Sequence, residues 1–283
     1  MAKVLQCGNK RLDLTSPCIM GILNTTPDSF SDGGLLFAAE KVSVQKAMQQ
    51  AGGMIQAGAK ILDIGGESTR PGAQAVALDE ERQRVIPIVK AIKEQFPQVV
   101  ISVDTSKPEL MADAIEAGCD IINDVNALRT PGALEVCSNS NVAVGLMHMQ
   151  GEPRTMQQNP HYNDVVQDVF DFLQQRVNAC LEAGIVADRM IVDPGFGFGK
   201  SVEHNLLLIK HLANFKELGT ALLVGVSRKS MIGKLLDKPV DQRVIGSVVL
   251  ATLALANGAD IVRVHDVEAT MDAVKLTSAV ETV

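Results

Sequence analysis

Tryptophan is absent from this chain of 283 residues, tyrosine occurs once, and aromatic residues make up only 3% of it. A core must therefore be built from Val, Ile, Leu, Ala and Met, which suit parallel strands covered by helices. A basic excess is missing too. The net charge of −7 leaves no basic stripe for a nucleic-acid backbone, although a small anionic ligand needs only a few local cations. No C-x-x-C pair occurs. The five cysteines, Cys7, Cys18, Cys119, Cys137 and Cys180, are odd in number and widely spaced. They read as reduced, buried thiols rather than a disulfide framework or a zinc site. The start, Met-Ala-Lys-Val, lacks the apolar centre of a signal peptide. The most apolar run, 244–256, falls short of the ~18 residues a membrane span needs. These absences predict a soluble, cytoplasmic protein. No Pro/Ser-rich linker or charge run divides the chain, so one domain over 1–283 is expected.

What is present is organised like the stretch 61–72, Ile-Leu-Asp-Ile-Gly-Gly-Glu-Ser-Thr-Arg-Pro-Gly. A short apolar run delivers a carboxylate, Asp63, and then breaks on glycines into a polar loop. α/β proteins build sites this way at the carboxyl edge of a parallel sheet. The pattern repeats in Ala-Gly-Ala-Lys-Ile-Leu-Asp63, Ala-Gly-Cys-Asp-Ile-Ile-Asn123 and Gly-Ala-Asp-Ile-Val-Arg263, with a looser copy before Asp193. In each, a helix ends on Gly, an apolar strand follows, and a polar residue closes it.

Taken in order, residues 4–14 predict a small hairpin turning at Gly8-Asn9 and placed to cover the bottom of a barrel. Strands are predicted at 18–24, 60–64, 99–104, 120–124, 142–149, 190–193, 221–226 and 258–265. Helices are predicted between them. One runs from Ala39 to Ala57. Another is capped by Asp79 and runs to Phe96, a third is opened by Pro108, and a short one starts at Pro131. The rest are a helix over 164–183, one capped by Ser201 and continuous to Leu218, a short one near Ser230, one capped by Asp241, and a final helix. Eight strand–helix units predict a (β/α)8 barrel, with an open doubly wound sheet as the alternative.

The predicted strand ends bring Asn24, Asp63, Asp104, Asn123, His148, Asp193, Lys229, Arg263 and His265 to one face. Any one of them has a bland reading as a loop or capping residue. The whole set does not, because buried charges need partners or ligands. Asp104, Asn123 and Asp193 suit the amino and ring N–H groups of a flat heterocycle, with Lys229 donating to a carbonyl or ring nitrogen. Arg70, Arg263 and His265 suit phosphate oxygens. The neutral amide oxygen of Asn24 suits Mg²⁺. His148, between Met147 and Met149, reads as a strand-end packing residue. The run 195–201 ends in Gly-Lys-Ser but fails as a phosphate loop, because its required first Gly is Pro194.

Two loops, Asn24-Thr-Thr-Pro-Asp-Ser-Phe30-Ser-Asp-Gly and Asp63-Ile-Gly-Gly-Glu-Ser-Thr69-Arg70-Pro71-Gly, resemble the signature loops of the dihydropteroate synthase family. Val-Asp104-Thr-Ser-Lys-Pro, Ile-Asn123-Asp, Asp193-Pro-Gly-Phe-Gly-Phe198-Gly-Lys, Ser-Arg-Lys229-Ser and Arg263-Val-His265-Asp are similar to it too, so the resemblance spans essentially the whole chain. It implies a (β/α)8 barrel. It also implies condensation of 6-hydroxymethyl-7,8-dihydropterin diphosphate with 4-aminobenzoate to give 7,8-dihydropteroate and pyrophosphate, with sulfonamides as inhibitors. On this resemblance the pterin is held by Asp104, Asn123, Met147, Asp193, Phe198, Gly225 and Lys229. The diphosphate is held by Asn24, Thr69, Arg70, Arg263 and His265, with Mg²⁺ at Asn24. Aminobenzoate meets Phe30, Thr69, Arg70, Pro71, Phe198 and Ser230, and Asp104, Arg70 and Lys229 carry the catalysis.

Two other readings compete. A pterin-binding methyltransferase module with a corrinoid partner shares the Asp/Asn set but needs neither signature loop. A Schiff-base aldolase would need a desolvated Lys229, which here stands beside Arg228. The helix 244–256 is apolar nearly all round, and together with the resemblance it predicts a homodimer.

Overall fold

The computed structural model describes residues 3–25, 44–68, 75–151 and 155–282. Phe30, Thr69, Arg70 and Pro71, and the predicted start of the first helix at Ala39, lie outside them.

The N-terminal hairpin pairs β1 (Val4–Cys7) with β2 (Lys10–Asp13), antiparallel, turning through Gly8 as expected. Leu5, Cys7, Leu12 and Leu14 pack against Cys18, Met20, Ile61, Val100, Ile121, Ala143, Ile191 and Ile261. These are residues at or near the first positions of the barrel strands, so the hairpin closes the amino-terminal mouth. Each leucine buried there contributes roughly 1.5–3 kcal/mol. Two ion pairs fasten the plug: Lys10 Nζ donates to Asp120 Oδ2 at 2.8 Å, and Lys3 Nζ to Asp260 Oδ2 at 2.5 Å. The same carboxylates accept from Ile101 N (2.8 Å) and Leu222 N (2.7 Å), so hairpin and strand starts share partners.

Eight parallel strands follow: β3 (Cys18–Asn24), β4 (Ile61–Gly65), β5 (Val100–Asp104), β6 (Ile121–Asp124), β7 (Ala143–Met147), β8 (Met190–Asp193), β9 (Ala221–Val224) and β10 (Ile261–Val264). They close in sequence order, with β10 pairing back onto β3. The barrel expectation holds and the open sheet does not. The helices α1 (Val44–Gln56), α2 (Leu78–Gln95), α3 (Pro108–Ala117), α4 (Ala133–Ser138), α5 (Val165–Glu182), α6 (Val202–Lys210), α7 (Ser230–Leu236), α8 (Val244–Ala256) and α9 (Val267–Glu281) surround it. Their buried faces and the outward faces of the strands form one continuous apolar layer. That layering explains why the strands read as unbroken apolar runs: both sides of each are covered. All five cysteines are buried and free. Among the described residues no helix is long and apolar enough to cross a membrane.

Several predicted boundaries need correction. Asp79 does not cap α2. The helix begins at Leu78 behind Ala77, and Asp79 pairs with Arg82 one turn on. Ser201 does cap α6, with His204 completing a reciprocal capping box. The helix does not run on to Leu218, however. It stops at Lys210, and Leu212–Leu218 winds as a 3₁₀ helix. Leu212, Phe215 and Leu218 are its buried residues, three apart, which is the 3₁₀ period and not the α period. Asp241 lies in a 3₁₀ turn ahead of α8 and does not cap it. Here Arg243 donates to Lys238 O (3.0 Å) and Arg228 O (3.2 Å), which holds the approach folded under. The short helix predicted from Pro131 starts at Ala133, and His148 lies one residue past the end of β7.

Candidate active site

The carboxyl ends of β3–β10 gather most of the predicted polar set. Strand register aligns Asn24 with Gly65, Gly65 with Asp104, Asp104 with Asn123, and Met147 with Asp193. Room for one of these side chains is made by the neighbouring strand. A Cβ on Gly145 would stand 2.6 Å from Asn123 Oδ1, so glycine at that place lets the amide sit inside the barrel.

At the centre lies Asp63, fully buried within β4. Its Oδ1 accepts from Ser102 Oγ at 2.5 Å, and its Oδ2 from Arg263 Nε at 2.6 Å and Asn123 Nδ2 at 3.2 Å. Arg263 reaches on to Asp104, with Nη2 to Oδ2 at 2.9 Å. Four strands are thus joined by one charged network of two carboxylates, an amide and a guanidinium. Sequence placed Asp63 among the strand-end polar residues but gave it no role. The available signal was a lone carboxylate inside an otherwise apolar strand, which burial makes costly unless it is paired.

The second group stands beside it. Asp193 is buried and accepts from Gly195 N at 2.7 Å. Burial pushes its carboxyl above the ordinary range, against Lys229 and Arg263, which draw it down. Burial likewise pushes Asp104 up to about 7, with Arg263 opposing. Lys229 Nζ lies 4.1 Å from the centre of the buried Phe198 ring, within cation–π range. Gly225 follows β9, where a Cβ would stand 3.9 Å from Asp193 Oδ2. Met147 and Phe198 pack with Met149 and Met156 in a small apolar cluster beside the polar groups.

His265 follows β10, with its Nδ1 3.0 Å from Ser227 Oγ and its N–H donating to that oxygen at 3.2 Å. Next to it, Arg228 grips Asp266 with two hydrogen bonds, Nε–Oδ2 at 2.9 Å and Nη2–Oδ1 at 2.5 Å. The loop after β9, which carries Lys229 and Ser230, is thereby tied to the loop after β10. Sequence reading missed Ser227 and this ion pair, because neither partner marks the other along the chain. Asn24 ends β3 half-buried, and Ser230 opens α7 exposed.

Lys107 follows β5 and bridges Glu67, after β4, to the buried Glu81 of α2. Arg84 donates to Gly66 O at 2.8 Å. Together these fix the chain at Gly66 and Glu67 just after β4.

The arrangement offers acceptors and an amide deep in the mouth, cations beside them, and an apolar wall. It can hold a flat polar ring and an attached anion at once.

Residues 20–265 match the family of pterin-binding enzymes. The chain is 54% identical to the dihydropteroate synthase of Haemophilus influenzae, over 97% of this chain and 98% of that one. The structure of Yersinia pestis dihydropteroate synthase in complex with a sulfonamide drug superposes with a TM-score of 0.93 at 46% identity, covering 99% of this chain and all of that one. The Xanthomonas albilineans dihydropteroate synthase with 4-aminobenzoic acid gives 0.92 at 47% identity, with both chains covered in full.

Proposed function

We propose a reaction from the fact that this chain belongs to the dihydropteroate synthase family of pterin-binding enzymes and is therefore a transferase. It joins 4-aminobenzoate to 6-hydroxymethyl-7,8-dihydropterin diphosphate and releases pyrophosphate, giving 7,8-dihydropteroate for folate synthesis. The observation that carries this reading onto particular residues is the clustering of Asp104, Asn123, Asp193 and Lys229 beside Arg263 in the carboxyl-end mouth of the barrel.

Asp193, Asn123, Asp104 and Lys229 hold the pterin edge, and Met147, Phe198 and Gly225 line the slot. Arg263 has five N–H donors. Its bonds to Asp63 and Asp104 use Nε and Nη2, which leaves donors for diphosphate oxygens without releasing either carboxylate. His265, Arg70, Thr69 and Asn24 complete that subsite. The neutral amide oxygen of Asn24, at a strand end, suits Mg²⁺, which takes one or two protein ligands and fills its shell with phosphate oxygens and water. When bound, the ion supplies charge neutralisation on those oxygens.

The bond between the exocyclic methylene and the diphosphate oxygen breaks first, its electron pair leaving on pyrophosphate. Positive charge spreads into the pterin, where Asp104 lies close, while Arg263 and Arg70 face the leaving anion. The amine of aminobenzoate then gives its lone pair to the methylene and loses a proton to water. Phe30, Thr69, Arg70, Pro71, Phe198 and Ser230 frame that second substrate. The Yersinia relative's sulfonamide complex supports sulfonamides as inhibitors of this step. Positioning and electrostatics supply the catalysis, with no nucleophile from the protein.

Pyrophosphate release from the pterin diphosphate, followed with Mg²⁺ and with or without 4-aminobenzoate, tests the reaction. Release matched by dihydropteroate formation is expected. Calorimetric pterin binding with no release would instead favour the methyltransferase-type module.

The protein acts as a homodimer in the cytoplasm. On α8, Ile245 is 71% exposed, Val249 52% and Leu253 45%; on α9, Leu276 is 70% exposed and Val280 74%. These exposed apolar side chains lie on two helices that pack together and are more than outer barrel helices need for their own core. Light scattering at micromolar concentration should give twice the chain mass, and Ile245→Lys with Leu276→Glu should give a folded monomer. A parent chain of single mass would overturn the assignment.

A further inference from the structure

Lys200 stands next to last in the glycine-rich run 195–201, which fails as a phosphate loop. Its side chain does not point to solvent: the residue is 3% exposed. Its ammonium has three acceptors, His148 Nδ1 at 2.8 Å, Phe198 O at 3.1 Å and His148 O at 3.4 Å. Three acceptors match the three N–H bonds of an ammonium. None of the three is a carboxylate; burial pushes the amino group down to about 7, with Asp193 opposing, because a buried charge held by neutral groups is costly. What is fixed is the geometry of the bridge, with three acceptors around one nitrogen.

The geometry that depends on it is the loop after β8. Gly195 and Gly199 have φ of +71° and +63°, and their backbones press on the segment after β7. A Cβ on Gly195 would stand 1.9 Å from His148 O, and one on Gly199 2.4 Å from Gln150 O. Asn205 accepts from Gly197 N at 2.7 Å, and Tyr162 donates to Gly199 O at 2.8 Å. Gly197 and Gly199, on either side of Phe198, are thus tied by their backbones to other segments, while Lys200 holds the carbonyl of Phe198 itself. The Phe198 ring in turn lies over Lys229.

We propose that Lys200 is a positioning residue for the synthase reaction: by bonding His148 after β7 to the carbonyl of Phe198 after β8, it sets the Phe198 ring against Lys229 and so fixes the wall between the pterin and aminobenzoate subsites. With Lys200 donating, His148 accepts at Nδ1 and carries its proton on Nε2. Burial and the adjacent Lys200 push the imidazole down to about 2, so it stays neutral. The inference rests on the assignment of Phe198 to the substrate pocket.

Three variants of the full chain test it, with KM for 4-aminobenzoate read separately from kcat. Lys200→Met, which keeps the length of the side chain, and His148→Leu, which removes one acceptor, should each raise this KM about tenfold, the scale of one hydrogen bond's worth of positioning at the Phe198 wall. The value of kcat should change less than threefold. His148→Asn presents an acceptor near the Nδ1 position and should restore KM to within threefold of the parent. This comparison stands even if Lys200→Met fails to fold. Phe198→Leu is the control for the pocket. If it raises KM while Lys200→Met and His148→Leu lower only the melting temperature, Lys200 is structural only and the inference is wrong. If Phe198→Leu leaves KM unchanged, the pocket assignment falls and the inference falls with it.

Discussion

Asp193→Ala is expected to weaken binding of the pterin substrate at least a hundredfold by calorimetry. Two charge-assisted hydrogen bonds to a pterin edge are worth roughly 1.5–3 kcal/mol each, and about 2.7 kcal/mol is already a hundredfold. The buried carboxylate also accepts from Gly195 N, so the alanine variant leaves that N–H without its partner and loses some stability. Asp193→Asn separates the two effects. Its amide oxygen can still accept from Gly195 N, so the melting temperature should return while pterin binding stays weak, because the NH₂ meets a ring N–H donor to donor. Arg70→Ala should behave in the opposite way. Turnover should fall by at least tenfold with pterin affinity nearly unchanged, because the role proposed for its guanidinium is to neutralise the departing pyrophosphate and not to hold the ring. Equal losses of binding and turnover in both variants would show that the division of the pocket is wrong.

Asp63→Ala is expected to destabilise the protein by about 3–5 kcal/mol, the cost of removing one partner from a buried ion pair. The carboxylate has three side-chain donors, from Ser102, Asn123 and Arg263. Without it, Arg263 keeps only Asp104 as a hydrogen-bond partner among the described residues. Activity should fall as well, since Arg263 and Asn123, the proposed diphosphate and pterin ligands, both lean on Asp63. Urea denaturation measures the first effect, and a double-mutant cycle identifies its source. Pairing Asp63→Ala with Arg263→Met should cost clearly less than the sum of the single changes, because the uncompensated guanidinium is gone. Additivity to within about 0.5 kcal/mol would mean that the two groups do not act as a pair.

These predictions concern residues that the sequence exposed unequally. Asp193 and Asn123 were legible because each ends an apolar run and a polar residue there faces the mouth of a barrel. Asp63 was legible as a carboxylate but not as a hub, since Ser102 lies 39 residues away, Asn123 60 and Arg263 200. Along the chain Lys200 belongs to a motif that fails as a phosphate loop, and His148 between two methionines reads as packing alone. Contact through space makes them a pair, and nothing in the spacing of 52 residues reports it. The break in the predicted helix from Ser201 carried a signal that was overlooked, the three-residue spacing of Leu212, Phe215 and Leu218. The errors at Asp79 and Asp241 share one cause: an acidic residue near a helix start has the same propensity whether it caps the helix, sits in its first turn or lies in the turn before it.

The sequence by itself determined the layering. Eight short apolar runs alternating with helical segments have to be buried on both faces, as in a parallel barrel or a doubly wound sheet, and the pairing of β10 with β3 decided for the barrel. It also determined the chemical character of the mouth, because polar residues after apolar strands converge on one face. Only the tertiary structure decided which of those groups share protons and charge. Hydrogen bonds act over about 3 Å, whereas strand order and register, set by the whole barrel, decide which residues come that near. The hub at Asp63, the grip of Arg228 on Asp266 and the bridge made by Lys200 are therefore properties of the closed barrel and of no single segment within it.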